Sequence, residues 1–387
     1  MATNSKLSRA KTVKNDEFYT QWADIEREVQ AYLEFDPNVF RNKTILCPCD
    51  DPEWSNFTKF FALHFSELGL KKLISTSYAP ESKAYKAAYQ ISMFEQNDPK
   101  FDAKKTRERG KVFVLDRDTI GNNAKINIDN LKWDYMKGDG DFRSDEVKAL
   151  REEADIIITN PPFSLFREFL SWVVAADKQF LIIGNMGAVT YKEIFALVKE
   201  NKLWLGNGFH AGNAYFASPF AETYGEGIYN PKTGLVKFRN VCWLTNIDHG
   251  RRHQSLPLMT MADNLRFSKH KEIKGKRFYD KYKNYDAIEV PYTDAIPSDY
   301  DGVMGVPNSF LLKYCPEQFE VLGMCENLNL YGLKTRIYTS EECKQAYLAL
   351  FGKKGTYDLN ASGVIEKDGL LEKVYARILI KHRGVKK

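Results

Sequence analysis

Cysteine is scarce and dispersed in this chain. Cys47, Cys49, Cys242, Cys315, Cys325 and Cys343 show no paired CxxC spacing, and the histidines are equally scattered apart from His249 and His253. That excludes a disulfide framework or a Cys/His zinc module, so reduced thiols and no metal are expected. An apolar run of membrane length is also missing. The opening MATNSKLSRAKTVKND is basic and polar with no apolar centre, so neither a signal peptide nor a membrane span is expected, and the chain is placed in the cytoplasm with no membrane partner. No internal repeat is visible, which excludes a repeat array. A large single-signed charge is absent too, the formal net charge being only +5.

What is present centres on ADIIITNPPFSLFREF, residues 154–169. The uninterrupted β-branched run before Asn160 suits a strand buried on both faces of a parallel sheet. Two consecutive prolines then fix φ and supply no N–H donor, which leaves the carbonyls of Asn160 and Pro161 open at the strand's carboxyl end. That edge is where open α/β sheets bind ligands. An amide oxygen from Asn160, a carbonyl from Pro161, the rigid Pro162 and an aromatic face from Phe163 together suit an amino-bearing nucleobase. Two acceptors would draw an exocyclic NH2 toward a more nucleophilic state, while the ring stacks the base.

Around this corner the pattern is α/β. After a basic tail at residues 1–15, Thr20 is positioned to cap a helix over residues 22–33. KTILCPC, residues 43–49, reads as a buried strand that delivers Asp50 and Asp51 to its end. Asp51-Pro52 then opens a helix through Ser55 and Asn56, although this corner contains no Gly-x-Gly. A second strand is expected over residues 71–77, an insertion loop over 78–111, and a short strand from Lys111 to Leu115 that either pairs at an edge of the sheet or forms a hairpin. Gly138-Asp139-Gly140-Asp141-Phe142 precedes a helix over residues 145–153. Residues 179–184, 202–205 and 241–248 read as further strands and 191–200 as a helix. Residues 206–240, Gly-rich and aromatic, read as a loop over the site. After residue 250 regularity fades into an irregular second domain.

Charge is unevenly spread. Residues 251–283 hold ten Lys/Arg against three Asp/Glu, a surplus larger than that of the whole chain, with Phe267, Phe278, Tyr279 and Tyr282 interleaved. Such a stretch suits a polyanion, and Arg251, Arg252, Lys269, Lys271, Lys274 and Lys276 are its candidate DNA contacts.

With DEFYTQ, CDDPEWSNF, LGLKKLI, GDGDFRS, TNPPFSLFRE, FLIIGN, CWLTNID and YDGVMGVP in this order, most of the chain resembles the EcoRI-type DNA adenine-specific methyltransferases. The resemblance implies a doubly wound, Rossmann-like S-adenosylmethionine-dependent sheet over residues 16–249, followed by a target-recognition region over 250–387. It further implies transfer of methyl to adenine N6 in double-stranded DNA, in a restriction-modification or orphan setting. A cognate endonuclease is then a functional partner, and the enzyme is expected to act as a monomer. An RNA methyltransferase, or a non-catalytic DNA-binding protein on the same scaffold, stays open as an alternative.

On the cofactor side, the resemblance assigns Tyr19 and Thr20 to the methionine end and Asp141 and Phe142 to the adenine. Cys49, Asp50, Asp51 and Asn56 stand in the first-strand corner, where the usual glycines are missing. Where a ribose-binding carboxylate is expected after the second strand, this chain has Ser75-Thr76-Ser77. Pro48-Cys49 looks superficially like the Pro-Cys nucleophile of cytosine-C5 methylation, but on the first strand it reads as core or pocket wall.

Overall fold

The computed structural model describes residues 18–79, 101–120, 126–128, 131–209, 212–218 and 221–384. The basic tail, Asp16, Glu17 and residues 80–100 of the expected insertion loop lie outside the described residues. Two compact units result: residues 1–185 with 205–250, and residues 186–204 with 251–387.

The first unit is mixed α/β. Its strands in chain order are β1 (Tyr19–Thr20), β2 (Thr44–Cys47), β3 (Lys72–Thr76), β4 (Lys111–Asp116), β5 (Trp133–Tyr135), β6 (Ile156–Thr159), β7 (Gln179–Asn185), β8 (Trp204–Leu205), β9 (Asn213–Ala217), β10 (Tyr229–Asn230), β11 (Leu235–Arg239) and β12 (Val241–Thr245). An eight-stranded sheet runs β5-β4-β3-β2-β6-β7-β12-β8. Its centre, β3-β2-β6-β7, is parallel, while β4 and β12 join antiparallel. All residues of β2 and β6 are buried, as their lack of polar alternation requires. The longer helices are α1 (Trp22–Phe35), α2 (Asn56–Leu63), α3 (Asp145–Glu153) and α4 (Phe166–Val174), and a short helix, Ala103–Glu108, lies within the expected insertion loop. Ser144 caps α3, where the sequence places its start.

Three expectations change here. The helix after β2 begins at Asn56, not at Asp51-Pro52, because Ser55 caps it by accepting from the Phe57 amide at 3.1 Å. Thr20 caps nothing: the residue before α1 is Gln21, and Thr20 lies in a strand. Residues 206–240 are not merely a loop, since β9, β10 and β11 join β1 in a second sheet of order β1-β9-β11-β10. Its buried face is carried by Ala214, Phe216, Val236 and Phe238, at alternate positions of two short strands hidden among glycines and aromatics. These side chains join Phe57, Phe61, Trp243 and Tyr32 in one core beneath both sheets.

The second unit has more order than its sequence suggests. Strands β13 (Ala287–Glu289), β14 (Val303–Pro307), β15 (Phe319–Met324) and β18 (Arg377–His382) form a sheet of order β13-β14-β18-β15, beside a hairpin of β16 (Val364–Lys367) and β17 (Leu370–Lys373). The longer helices of this unit are α5 (Lys192–Lys199) and α6 (Ser340–Phe351), the latter opened by a Thr339–Glu342 capping box, and a shorter one spans Met261–Phe267.

Candidate active site

Asparagines at two strand ends fix β1 against the main sheet. Asn160, leaving β6, donates its amide nitrogen to the Phe18 carbonyl at 2.7 Å, and Asn56, opening α2, donates to the Thr20 carbonyl at 2.7 Å. With its nitrogen so committed, Asn160 presents Oδ1 as a buried acceptor with no hydrogen-bond partner, and the buried Thr20 Oγ1 has none either. Buried polar atoms are nearly always paired, so these two, tied to strand β1 and its preceding residue, are candidates to meet a ligand's polar groups.

Aromatic rings build the wall beside this acceptor. Phe163 stacks on Phe18 with centroids 5.6 Å apart and planes 24° from parallel, and it meets Phe216 and Phe238 edge-on at 6.4 Å each. Phe18 is set edge-on to Phe238 at 4.9 Å. The second sheet therefore supplies part of the wall. The short 3-10 turn Phe163–Leu165 carries the corner into α4, and Pro161 is buried while Pro162 and Phe163 are half-buried.

Beneath lies Asp50, which is buried. Its carboxylate accepts from Ser55 Oγ at 2.7 Å and from Thr159 Oγ1. Burial disfavours the charge more than these donors support it, and the carboxyl is pushed up to about 7. Thr159 also reaches the Cys49 thiol, which burial and the neighbouring Asp50 carboxylate hold well above the ordinary thiol range. Cys49 is thus no thiolate nucleophile.

Asp141 lies close enough to act on Cys49 electrostatically, but its own carboxylate is held by Arg143 at 2.6 Å, and this hydrogen bond keeps it below the usual carboxylate range. Arg143 also reaches Glu168 at 3.2 Å, tying the glycine loop to α4. Phe142 is buried edge-on to Phe169 at 5.2 Å and Trp172 at 5.6 Å, as packing beneath that loop. The loop is strapped to the end of β3, with the Ala79 amide donating to the Asp139 carbonyl at 2.7 Å.

The structure brings Thr20, Cys49, Asp50, Asn56, Asp141 and Asn160 to Phe163 to one edge of the main sheet; Tyr19 adjoins them on β1, and Asp51 adjoins Asp50. Sequence reasoning missed Phe18, Phe216 and Phe238 as wall residues, and Ser55 and Thr159 as partners of Asp50. The alternation in NAYFA and LVKFR is the signal that could have found two of them.

The basic candidates belong to the second unit. Arg252 is buried, its guanidinium 3.6 Å over the Trp204 ring and donating to Asn201, so it serves packing. Lys269 pairs with Asp294 at 2.8 Å and Lys276 with Asp280 at 2.6 Å. Lys271 and Lys274 are exposed, and Arg251 is half-buried. Of the interleaved aromatics, Tyr279 and Tyr282 are core, whereas Phe267 and Phe278 are more than half exposed.

Comparison with known proteins places the chain in a family. The family described as adenine-specific methyltransferase EcoRI matches residues 6–383. The chain is 42% identical over 324 residues to the Type II methyltransferase M.EcoRI of Escherichia coli, covering 83% of this chain and 89% of that protein. It is 33% identical over 340 residues to the Type II methyltransferase M.MpnI of Mycoplasma pneumoniae, covering 86% and 90%. A third relative, Type II methyltransferase M.MgeORF184P of Mycoplasma genitalium, is 35% identical over 343 residues. No solved structure matches significantly.

Proposed function

We infer, from the premise that this chain belongs to the family of the adenine-specific methyltransferase EcoRI, that it methylates adenine N6 within double-stranded DNA, using S-adenosylmethionine, in a restriction-modification or orphan role. The chain is an adenine-specific methyltransferase. The observation that carries the finer reading is the unpartnered Asn160 Oδ1 beside Phe163.

The sheet supports a Rossmann-like reading: strand order reverses between β2 and β6, and the crevice at such a switch point is where ligands bind. There the residues present fit the cofactor. Thr20 Oγ1 is an orphan suited to its methionine end, and the Asp50 to Asn56 corner and the loop around Asp141 flank the same edge. When bound, S-adenosylmethionine supplies an electrophilic methyl carbon.

The remaining chemistry belongs to the chain. The target adenine leaves the duplex stack to reach this edge. Phe163 stacks it, and Asn160 Oδ1 with the Pro161 carbonyl accepts its two amino hydrogens, aligning the nitrogen for direct displacement. Recognition of DNA falls to the second unit, where Lys271 and Lys274 stand exposed on the basic stretch.

Asn160→Ala tests this assignment. Methyl incorporation into DNA should fall by about 10²-fold or more, while the calorimetric Kd for S-adenosylmethionine stays close to wild type. Near-normal turnover would refute the role given to Asn160. A new N6-methyladenine motif in long-read sequencing of DNA from expressing cells would establish the substrate.

A further inference from the structure

Resting on the reading of S-adenosylmethionine as cofactor, we propose that Glu53 receives the hydroxyls of its ribose, on a carboxylate held in place by Lys111. A ribose presents vicinal hydroxyls, and nucleotide-binding α/β sheets engage them with an acidic residue near the end of the strand after the first crossover. At the end of β3 this chain has only hydroxyls, and each is engaged. Ser75 Oγ lies 2.6 Å from Thr58 Oγ1 and donates to the Asp50 carbonyl. Thr76 Oγ1 donates to the Pro48 carbonyl at 3.0 Å, and Ser77 Oγ accepts from the Lys111 amide at 3.1 Å.

Lys111 changes what that edge contains. It starts β4, beside the end of β3, and its side chain is 4% exposed, with the ammonium 4.6 Å over the Trp133 ring. From there it pairs with Glu53 and lies 3.9 Å from Asp51. A carboxylate from the corner after β2 is thereby drawn to the end of β3. Desolvating a lysine for such a pair adds little to stability, so its position at the ligand edge points to binding.

Among the three acids of the corner, Glu53 is the one suited. Asp50 is buried and accepts from Ser55 and Thr159. Asp51 Oδ1 accepts from the Glu53 amide at 2.9 Å. The Glu53 side chain keeps 20% exposure, as Asp51 keeps 21%, but it is Glu53 that pairs closely with Lys111 and is drawn to the end of β3. An independent sign of a ligand at this corner is the unpartnered hydroxyl of Thr20, which is 2% exposed and tethered to the corner through Asn56.

The test is a calorimetric cycle on the full chain with S-adenosylhomocysteine and its 2′,3′-dideoxy analogue, against wild type, Glu53→Gln and Glu53→Ala. Wild type should prefer the parent compound by about tenfold or more, the worth of hydrogen bonds to a charged group. Both variants should lose most of that preference, while the dideoxy analogue binds all three proteins alike. Equal weakening toward both ligands would mean that Glu53 only supports the corner, and would overturn the proposal, as would an intact preference in the variants. If wild type binds neither ligand, the cofactor reading falls and this inference with it. Should Glu53→Ala fail to fold, Glu53→Gln, which keeps the side chain's shape, completes the cycle.

Discussion

Asp50 binds its proton more tightly in the folded chain than a free carboxyl does, because burial outweighs the two hydroxyls donating to it. Between the ordinary carboxyl range and its folded value of about 7, the native state therefore holds more protons than the unfolded one, and this group's contribution to stability falls as pH rises through that window. Asp50→Asn should thus gain stability relative to wild type on going from pH 5 to pH 8 in urea unfolding. A difference that stays flat or reverses would show that Asp50 is ionised throughout. Phe163→Ala should weaken capture of the extruded adenine by roughly 1–3 kcal/mol, with Trp restoring much of it, as read by 2-aminopurine fluorescence at the target. Unchanged fluorescence would reduce the ring to packing against Phe18. Asn160 and Phe163 stand out in the sequence as candidates because the prolines between them mark a strand end. That Phe18, Phe216 and Phe238 would pack against Phe163 was not readable, since nothing local says which distant ring a phenylalanine will meet.

Gly140 shows how closely the elements beneath the site approach one another. Its φ is +80°, and a Cβ there would lie 2.0 Å from the Ser77 carbonyl oxygen, with the backbone of Gly110 crowding the same point. Gly140→Ala should therefore destabilise the chain by about 1–3 kcal/mol in denaturant unfolding and loosen the loop carrying Asp141. A variant as stable as wild type would show that the three backbone segments can separate freely. Strands such as β6 were legible from unbroken apolar runs, and α3 from the glycine-rich stretch ahead of it. The sheet of β1, β9, β10 and β11 was not, because two of its strands have only two residues and the glycines between them read as loop. The order of the second unit was masked in the same way by short strands between prolines and tyrosines.

At the scale of the molecule, charge is the feature to perturb. If Lys271 and Lys274 touch phosphates, replacing both by Gln should weaken binding to all DNA sequences and flatten the slope of log affinity against log salt by about 0.9 for each phosphate no longer neutralised. Replacing Lys269 and Lys276, which already face Asp294 and Asp280, should flatten it less. Equal slopes for wild type and the first pair would place the grip on DNA elsewhere. The path of the chain has a different consequence. It leaves the first unit after Asn185, spends residues 186–204 in the second, returns at Leu205 and departs again after Gly250. Within the second unit α5 lies against β15 and sets Phe195 5.4 Å from Tyr331, with Ile194, Phe195 and Val198 buried. A unit built this way cannot be exchanged between relatives by one crossover at residue 250, since the incoming sheet would meet a helix evolved for another. Recombinants that carry a relative's whole second unit would need two exchanged segments, which favours change by point substitution within the unit over wholesale shuffling.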